Sequence, residues 1–188
     1  PGHATVWLVG SCPGPQLVSY RRRENRPWEV ILVPTPDESG LQSVAAVNGR
    51  DVWAVGATSG AFPGIEGLIE HWNGTAWAQV PSPDPGLGTA HQTFLSGVAV
   101  ASPTSVWAVG MHTGGRNRQR TLVEHWDGKK WSLSPVLAPL DTIQDGTQTQ
   151  LPWLLSVTGI SAVSPTDVWI TITLGTGNDD GPAGPEHG

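Results

Sequence analysis

The chain has 188 residues, a formal net charge of −6 and a pI near 5.4, which exclude a general electrostatic attraction to nucleic acid or anionic membranes. Its 24 glycines and 17 prolines predict many turns, whereas ten tryptophans and 38% hydrophobic residues exclude a disordered chain. Cys12 is the only cysteine, so an intrachain disulfide and a cysteine-based metal site are both excluded. No run reaches the roughly 18 apolar residues of a membrane helix.

Three short segments with strand character open the chain, at residues 4–10, 17–21 and 28–33. Each is rich in the β-branched and aromatic residues that are typical of strands. The second connection carries four arginines within residues 21–26. Any basic function of this acidic chain is therefore predicted to be local.

The next four segments form the first complete unit, at residues 41–47, 51–56, 68–72 and 77–80. Helices fit poorly, because glycine and proline interrupt every window and no 3.6-residue apolar periodicity persists. Asn73-Gly74 separates the last two segments and predicts a two-residue hairpin turn of type I′. A proline follows the fourth segment, which predicts that this strand is an outer edge. The unit is thus predicted to contain four antiparallel strands.

The same unit recurs 54 residues further along the chain, with its three tryptophans in register. The pairs are Trp53 and Trp107, Trp72 and Trp126, and Trp77 and Trp131. The end of the chain repeats only the first half of the unit, at residues 155–163 and 167–171. A long period made of strand segments is typical of a repeat architecture built from one supersecondary unit.

These segments predict an all-β fold, a β-propeller of four-stranded antiparallel blades with about 3.5 blades in this chain. The predicted organisation is a partial propeller over residues 1–174 and a Gly/Pro/Asp-rich tail over 175–188. Within the propeller we expect strands b–d of one blade at 1–36, full blades at 41–83 and 95–137, and strands a–b at 155–174.

The chain starts and stops within a blade, and it starts at Pro1. We therefore expect a processed, trimmed or partial polypeptide. Thirteen strands do not close a ring, so the remaining blades are either encoded elsewhere or supplied by a second chain, giving about seven blades. Exposed strand edges recruit partners in either case.

Three segments carry a family resemblance: residues 102–110 (SPTSVWAVG), 124–131 (EHWDGKKW) and 164–169 (SPTDVW). They resemble the tandem propeller repeats of bacterial extracellular proteins in the kelch-like and neuraminidase-repeat-like group. The resemblance implies a propeller outside the cell or at its surface, in a group that contains binding scaffolds, lectins and some enzymes. Residues 73–77 match the neuraminidase Asp box only in part, lacking its early Ser and Asp, so a sialidase is not implied.

Residues that recur at the same place in each unit are predicted to build the scaffold. Glu70-His71 and Glu124-His125 have side chains suited to acid–base chemistry or metal binding, but neighbours in a strand point to opposite faces. The repeated tryptophans are predicted to pack between blades rather than to stack on ligands. They are Trp7, Trp53, Trp72, Trp77, Trp107, Trp126, Trp131 and Trp169.

Departures from the repeat lie in four long segments, at 57–67, 84–94, 111–121 and 140–154. A propeller would place all four on one face, and long loops on a rigid scaffold concentrate binding residues. Three arginines at alternate positions within 111–121 would face one way and suit an anion or acidic partner. The predicted ligand-binding residues are His91, His112, Arg116, Arg118, Arg120 and Trp153.

Two further patterns receive structural interpretations. Asn73-Gly74-Thr75 is formally a glycosylation sequon, but Asp127-Gly128-Lys129 occupies the equivalent turn without one. Residues 178–181 offer oxygen ligands yet lack the alternating Asp pattern and distal Glu of a calcium loop. We interpret the first as turn chemistry and the second as part of an acidic tail.

No catalytic motif is found, so the sequence predicts a non-enzymatic extracellular scaffold or protein-interaction module that binds through its long loops. The alternatives are a glycan-binding lectin and part of a propeller hydrolase. The predicted partners are protein (a second copy or the rest of the propeller) or glycan. Cofactors, metals, nucleic acid and membrane insertion are not expected.

Overall fold

The structure is a computed structural model that describes residues 5–10, 17–23, 26–35, 38–59, 64–83, 92–114, 118–134 and 154–175. All regular elements in this part of the chain are β-strands, so the predicted all-β class is confirmed. The strands are β1 (Thr5–Gly10), β2 (Leu17–Arg23), β3 (Glu29–Val33), β4 (Gly40–Asn48), β5 (Asp51–Ser59), β6 (Ile65–Trp72), β7 (Trp77–Gln79), β8 (Gln92–Ser102), β9 (Ser105–Gly114), β10 (Arg118–Trp126), β11 (Trp131–Leu133), β12 (Leu154–Ser164) and β13 (Asp167–Gly175).

The strands form four antiparallel units in chain order: unit 1 (β1–β3), unit 2 (β4–β7), unit 3 (β8–β11) and unit 4 (β12–β13). Each strand pairs with the next along the chain within its unit. Units 2 and 3 are joined into one eight-stranded sheet by a single parallel pairing, Ile65 with Gln92. Within the described residues, no sheet closes on itself.

The units stack face to face, because each complete unit is apolar on both sides. We call the side towards the preceding unit the front face and the side towards the following unit the back face. The front of unit 2, with Trp72 and Trp77, buries Trp7 and Val33 of unit 1. Its back face carries Trp53 against the front of unit 3. The first strands also pack in succession, β4 against β8 and β8 against β12.

Unit 4 covers the back face of unit 3 in the same manner. Val109 and Val123 of unit 3 are buried with Val157 of β12, and Ile160 and Ile170 pack around them. The period of 54 residues therefore describes a stack in which each new unit covers the apolar face of the last one.

A close backbone approach recurs in the complete units. The first strands β4 and β8 both shift register at equivalent places, between Leu41 and Ser43 and between Leu95 and Gly97. A Cβ at Gly56 would lie 1.8 Å from the Gly40 carbonyl oxygen. The glycine that ends each Trp-Ala-Val-Gly segment is therefore required by the bulged neighbouring strand.

The predicted type I′ turns are wrong, because they need positive φ at both central residues. Gly74 (φ 98°) and Gly128 (φ 91°) have positive φ, but Asn73 does not. The Asn73 side-chain oxygen instead accepts hydrogen bonds from the Thr75 and Ala76 amides, at 3.0 Å each. This side-chain turn holds a four-residue connection, and Asp127 does the same in unit 3.

The strands also run further than expected into the predicted loops. β5 and β6 occupy much of residues 57–67, and β9 and β10 occupy most of 111–121. The reason is that pairing continues beyond the Trp-Ala-Val-Gly segment, up to Ser59 with Ile65 in unit 2. The polar residues near these strand ends are therefore held by a sheet.

Most of the repeated tryptophans lie in the stack, with one clear departure. Trp7, Trp53, Trp72, Trp77 and Trp131 are buried, and Trp107 and Trp126 are half-buried. Trp169, predicted to pack between blades, is 67% exposed. Its counterparts Trp7 and Trp53 are covered by the tryptophan pair of the following unit, and no described residues cover Trp169 in that way.

Candidate functional site

The two Glu-His pairs do not form acid–base sites. Glu70 and Glu124 lie on front faces and are fully buried, whereas the histidine beside each lies on the back face. His71 stacks on Trp53 with ring centroids 4.2 Å apart, and His125 lies over Trp107 at 4.1 Å. Because the carboxylate and the imidazole of each pair lie on opposite faces, they cannot act on one substrate.

Each of these histidines is held by its own unit. His71 Nε2 lies 2.8 Å from the Asp51 carboxylate, and His125 Nε2 lies 3.0 Å from the Ser105 hydroxyl. Burial lowers the pKa of His125, and the Asp127 carboxylate partly opposes this effect. Each imidazole therefore links the third strand of its own unit to the second strand by a hydrogen bond.

The two buried glutamates differ in their partners. The Ser82 hydroxyl, which follows β7 of unit 2, lies 2.8 and 3.0 Å from the two Glu124 carboxylate oxygens and donates to that group. In the preceding junction, both Glu70 oxygens are buried without a hydrogen-bond partner in the described structure, and so is the Thr35 hydroxyl. Thr35 stands in Val-Pro-Thr-Pro where Ser82 stands in Val-Pro-Ser-Pro. Burial raises the pKa of Glu70 to about 7.

A polar cleft opens beside Ser82, where β6 and β7 of unit 2 meet β8 of unit 3. Its volume is about 390 Å³. Gly67 lies in its wall and leaves little room for a side chain, because a Cβ there would lie 3.3 Å from both Ser82 Oγ and Thr93 Cγ2. The lining residues are Glu66, Gly67, Gln79, Pro81, Ser82 and Thr93.

Thr93 is the residue of unit 3 that lines the cleft. Its side chain is buried, and its hydroxyl has no hydrogen-bond partner among the described residues. The equivalent position in unit 2 is Ser39, whose hydroxyl donates to Thr58 Oγ1 at 2.7 Å. Unit 3 has His112 where unit 2 has Thr58, so the hydroxyl pair of unit 2 is replaced in unit 3 by Thr93 and an imidazole.

Two of the predicted ligand-binding residues lie in the same row as Thr93. Thr93 pairs with His112 across β8 and β9, and His112 pairs with Arg120 across β9 and β10. Directly paired residues share a face, and Leu95, on the face of Thr93, packs against unit 2. His112 and Arg120 therefore lie on strands, on the face of unit 3 that bears the cleft, and not on a loop as the sequence predicted.

The remaining predicted site residues are not brought together by the described structure. Arg118 lies at the start of β10, opposite Gly114, and its side chain is outside the description. His91, Arg116 and Trp153 lie outside the described residues, as does the acidic segment 178–181. Sequence reasoning missed Thr93, Gln79 and Ser82, and only the recurrence of Val-Pro-Thr-Pro as Val-Pro-Ser-Pro could have drawn attention to this junction.

The basic cluster near residue 21 is partly structural. The Arg21 guanidinium hydrogen-bonds the Glu29 carboxylate at 2.6 and 3.0 Å and lies over the rings of Trp7 and Trp72, 5.5 and 5.3 Å from their centroids. This buried arginine therefore joins units 1 and 2 by cation–π contact. Arg22 points to the other side of the sheet, 6.0 Å from the Trp28 ring.

The described residues contain no cluster of three or more histidine, cysteine or acidic side chains arranged to hold a metal ion. Among them there is also no helix of the length and apolar character that crossing a membrane requires.

No known protein family matches the sequence, and no curated protein is significantly similar to it. Among solved structures, the chain is similar to a fucose lectin from Kordia zhangzhouensis, solved in complex with methyl-fucoside. The TM-score is 0.43 and the identity is 14%, over 71% of this chain and 92% of the lectin. A likeness this distant assigns neither a fold nor a ligand to the present chain.

Proposed function

We propose that this chain is part of an extracellular β-propeller that binds carbohydrate without transforming it, at the cleft between units 2 and 3. The observation that carries the proposal is the composition of the cleft. Four polar residues, Glu66, Gln79, Ser82 and Thr93, line one space of about 390 Å³. That volume lies in the range of small-molecule sites.

The chemistry of the lining favours a neutral ligand rich in hydroxyl groups. Glu66 accepts hydrogen bonds, whereas Gln79 and Thr93 both donate and accept them. A ligand hydroxyl also does both. It can satisfy the Thr93 oxygen, which has no partner among the described residues, once that side chain rotates to exchange its hydroxyl with the methyl group that now faces Gly67. The lining contains no lysine or arginine, and the Glu66 charge disfavours an anionic ligand.

The propeller assignment is supported by the order and stacking of the strands. Units 2 and 3 are four-stranded antiparallel meanders, and their first strands lie side by side, as the inner strands of neighbouring blades do. The extracellular setting rests on the resemblance to bacterial extracellular repeats. Binding rather than catalysis is proposed because each Glu-His pair is divided between two faces.

A glycan array followed by calorimetry on the best glycan tests the proposal. Thr93→Val preserves the side-chain shape but removes the hydroxyl, so affinity should fall about tenfold, which corresponds to about 1.4 kcal/mol. Thr166→Val is the matched control, because Thr166 is exposed in the β12–β13 turn, and its affinity should be unchanged. Absence of binding across the array, or binding that is insensitive to both Thr93→Val and Gln79→Ala, would refute the proposal.

A second function, as a protein-interaction module, is favoured by a different observation. Exposed apolar side chains occupy one face of unit 1, and an exposed tryptophan stands at the other end of the stack. Exposed apolar patches of this kind commonly mark protein interfaces.

A further inference from the structure

The front face of unit 1 is exposed and apolar. Val6 and Leu8 of β1 and Val30 and Leu32 of β3 are each about half exposed, at 49 to 59%. The register places Leu8 and Val30 on either side of Tyr20, so the four side chains share one face. Trp28, at the edge of that face, is 42% exposed.

The back face of unit 4 is exposed at the opposite end of the stack. Trp169 on β13 is 67% exposed, and Val163 on β12 is 73% exposed. The opposite side of β13 is the one that packs against unit 3, through Ile170 and Ile172. The stack of four units therefore ends in an unpartnered front face and an unpartnered back face among the described residues.

The internal junctions show what a back-face tryptophan contacts. Trp7 packs against Trp72 and Trp77, with ring centroids at 5.4 and 5.6 Å. One unit later, Trp53 repeats this arrangement on Trp126 and Trp131, at 4.9 and 5.3 Å. In both cases, therefore, the tryptophan on the back face of one unit packs against two tryptophans on the front face of the next unit.

Unit 1 has its own version of that receiving pair. The strand register places Arg22 opposite Val6, just as Trp72 lies opposite Val52. Trp28 precedes β3 as the counterpart of Trp77, and the Arg22 guanidinium lies 6.0 Å from the Trp28 ring. The front of unit 1 therefore offers a tryptophan, a guanidinium and four aliphatic side chains at the place where an incoming back-face tryptophan would pack.

We propose that two copies of this chain associate head to tail, with Trp169 of one copy packed on the front face of unit 1, beside Trp28, of the other. The occupant is a second copy because the two faces are of the kinds that already pair twice within the chain. The contact is heterologous, since the two copies contribute different surfaces. This interface is separate from the carbohydrate cleft, which lies within a single chain.

Sedimentation velocity over a range of concentrations tests the proposal with one variant at each end. Leu8→Arg damages only the front face and Trp169→Arg only the back face, and both sites are more than half exposed, so each variant should fold. Wild type should associate as concentration rises. Each variant alone should associate at least tenfold more weakly, because every contact between its copies needs the damaged face.

An equimolar mixture of the two variants distinguishes a head-to-tail contact from a symmetric one. The intact back face of Leu8→Arg can bind the intact front face of Trp169→Arg, so the mixture should form a 1:1 complex that grows no further. Leu133→Arg, at an exposed position on β11, is the matched control and should behave as wild type. Circular dichroism of each variant verifies its fold.

Three results would overturn the proposal. The first is a wild-type chain that stays monomeric at about 100 µM, a concentration far above the dissociation constant of a stable interface. The second is association that persists in either single variant. The third is a mixture of the variants that stays monomeric while the wild type associates. The first would mean that the end faces are covered by other residues of the same chain, or that their occupant is a different protein.

Discussion

Replacing Glu70 by glutamine should stabilise this protein at neutral and alkaline pH. The Glu70 side chain is fully buried, and its two oxygens have no hydrogen-bond partner in the described structure. Glutamine has nearly the same shape and carries no charge, so it imitates the protonated acid. The variant therefore removes the cost of a buried carboxylate and leaves the packing against unit 1 unchanged.

The size of the effect follows from the raised pKa. Burial raises the pKa of Glu70 from 4.5 to about 7, and at 1.36 kcal/mol per pKa unit this corresponds to about 3 kcal/mol. Solvent around the junction screens even a covered carboxylate, which reduces that figure, so we expect about 2 to 3 kcal/mol. Because the pKa of this acid is higher in the folded than in the unfolded protein, its ionisation destabilises the fold. This loss of stability is absent below pH 4.5, grows between pH 4.5 and 7, and is complete above pH 7.

The assay is urea unfolding followed by tryptophan fluorescence at several values between pH 4 and pH 8. The Glu70→Gln variant should match wild type near pH 4 and exceed its free energy of unfolding by about 2 to 3 kcal/mol at pH 8. Glu124→Gln is the matched control, because the Glu124 carboxylate accepts the Ser82 hydroxyl, and it should give no gain at pH 8.

A stability difference for Glu70→Gln that does not change with pH would refute the reasoning, since the whole effect is assigned to ionisation of one buried acid. A less stable Glu70→Gln variant at pH 8 would refute it as well. That result would mean that the carboxylate is stabilised as an anion between units 1 and 2.

The remaining predictions concern the stack itself and are tested by denaturant unfolding at low protein concentration. Trp53→Ala should cost about 3 to 5 kcal/mol because Trp53 is buried between units 2 and 3, whereas Trp169→Ala should change stability by less than about 0.5 kcal/mol; equal effects would contradict the stacking. Gly56→Ala should prevent folding, because its Cβ would lie 1.8 Å from a backbone oxygen, whereas Gly10→Ala, with nothing within 4 Å, should be tolerated. Gly74→Ala, at φ 98°, should cost about 1 kcal/mol, and a neutral result would mean that the turn relaxes.

The strand pattern could be predicted because two independent signals agreed. Short apolar segments bounded by glycine and proline marked the strands, and the spacing of Trp53 and Trp107 fixed their order within each unit. The turn type could not be obtained in this way. Asn-Gly favours a type I′ hairpin in isolation. Here the Asn73 side-chain oxygen accepts hydrogen bonds from the backbone amides of Thr75 and Ala76, and the connection has four residues instead of two.

The candidate site could be predicted only in part. His112 and Arg120 were selected because they lie in a segment that departs from the repeat, and the structure places both in the row of Thr93. The row itself could not be predicted, because its residues are distant in sequence and become neighbours only when β9 and β10 continue past Gly110. Thr93 and Gln79 have no motif, so nothing in the sequence marked them.

Equivalent positions in units 2 and 3 show more clearly than residue type which polar residues are structural. Ser39 and Thr58 of unit 2 satisfy each other at 2.7 Å, whereas unit 3 places Thr93 and His112 there and leaves the Thr93 hydroxyl without a partner in the described structure. A buried hydroxyl without a partner costs about 1 to 3 kcal/mol, which a ligand hydroxyl in the adjoining cleft would recover on binding. Comparison of the two units thus distinguishes the residues: Ser39 and Thr58 have a structural role, whereas Thr93 is the residue on which the proposed carbohydrate site depends.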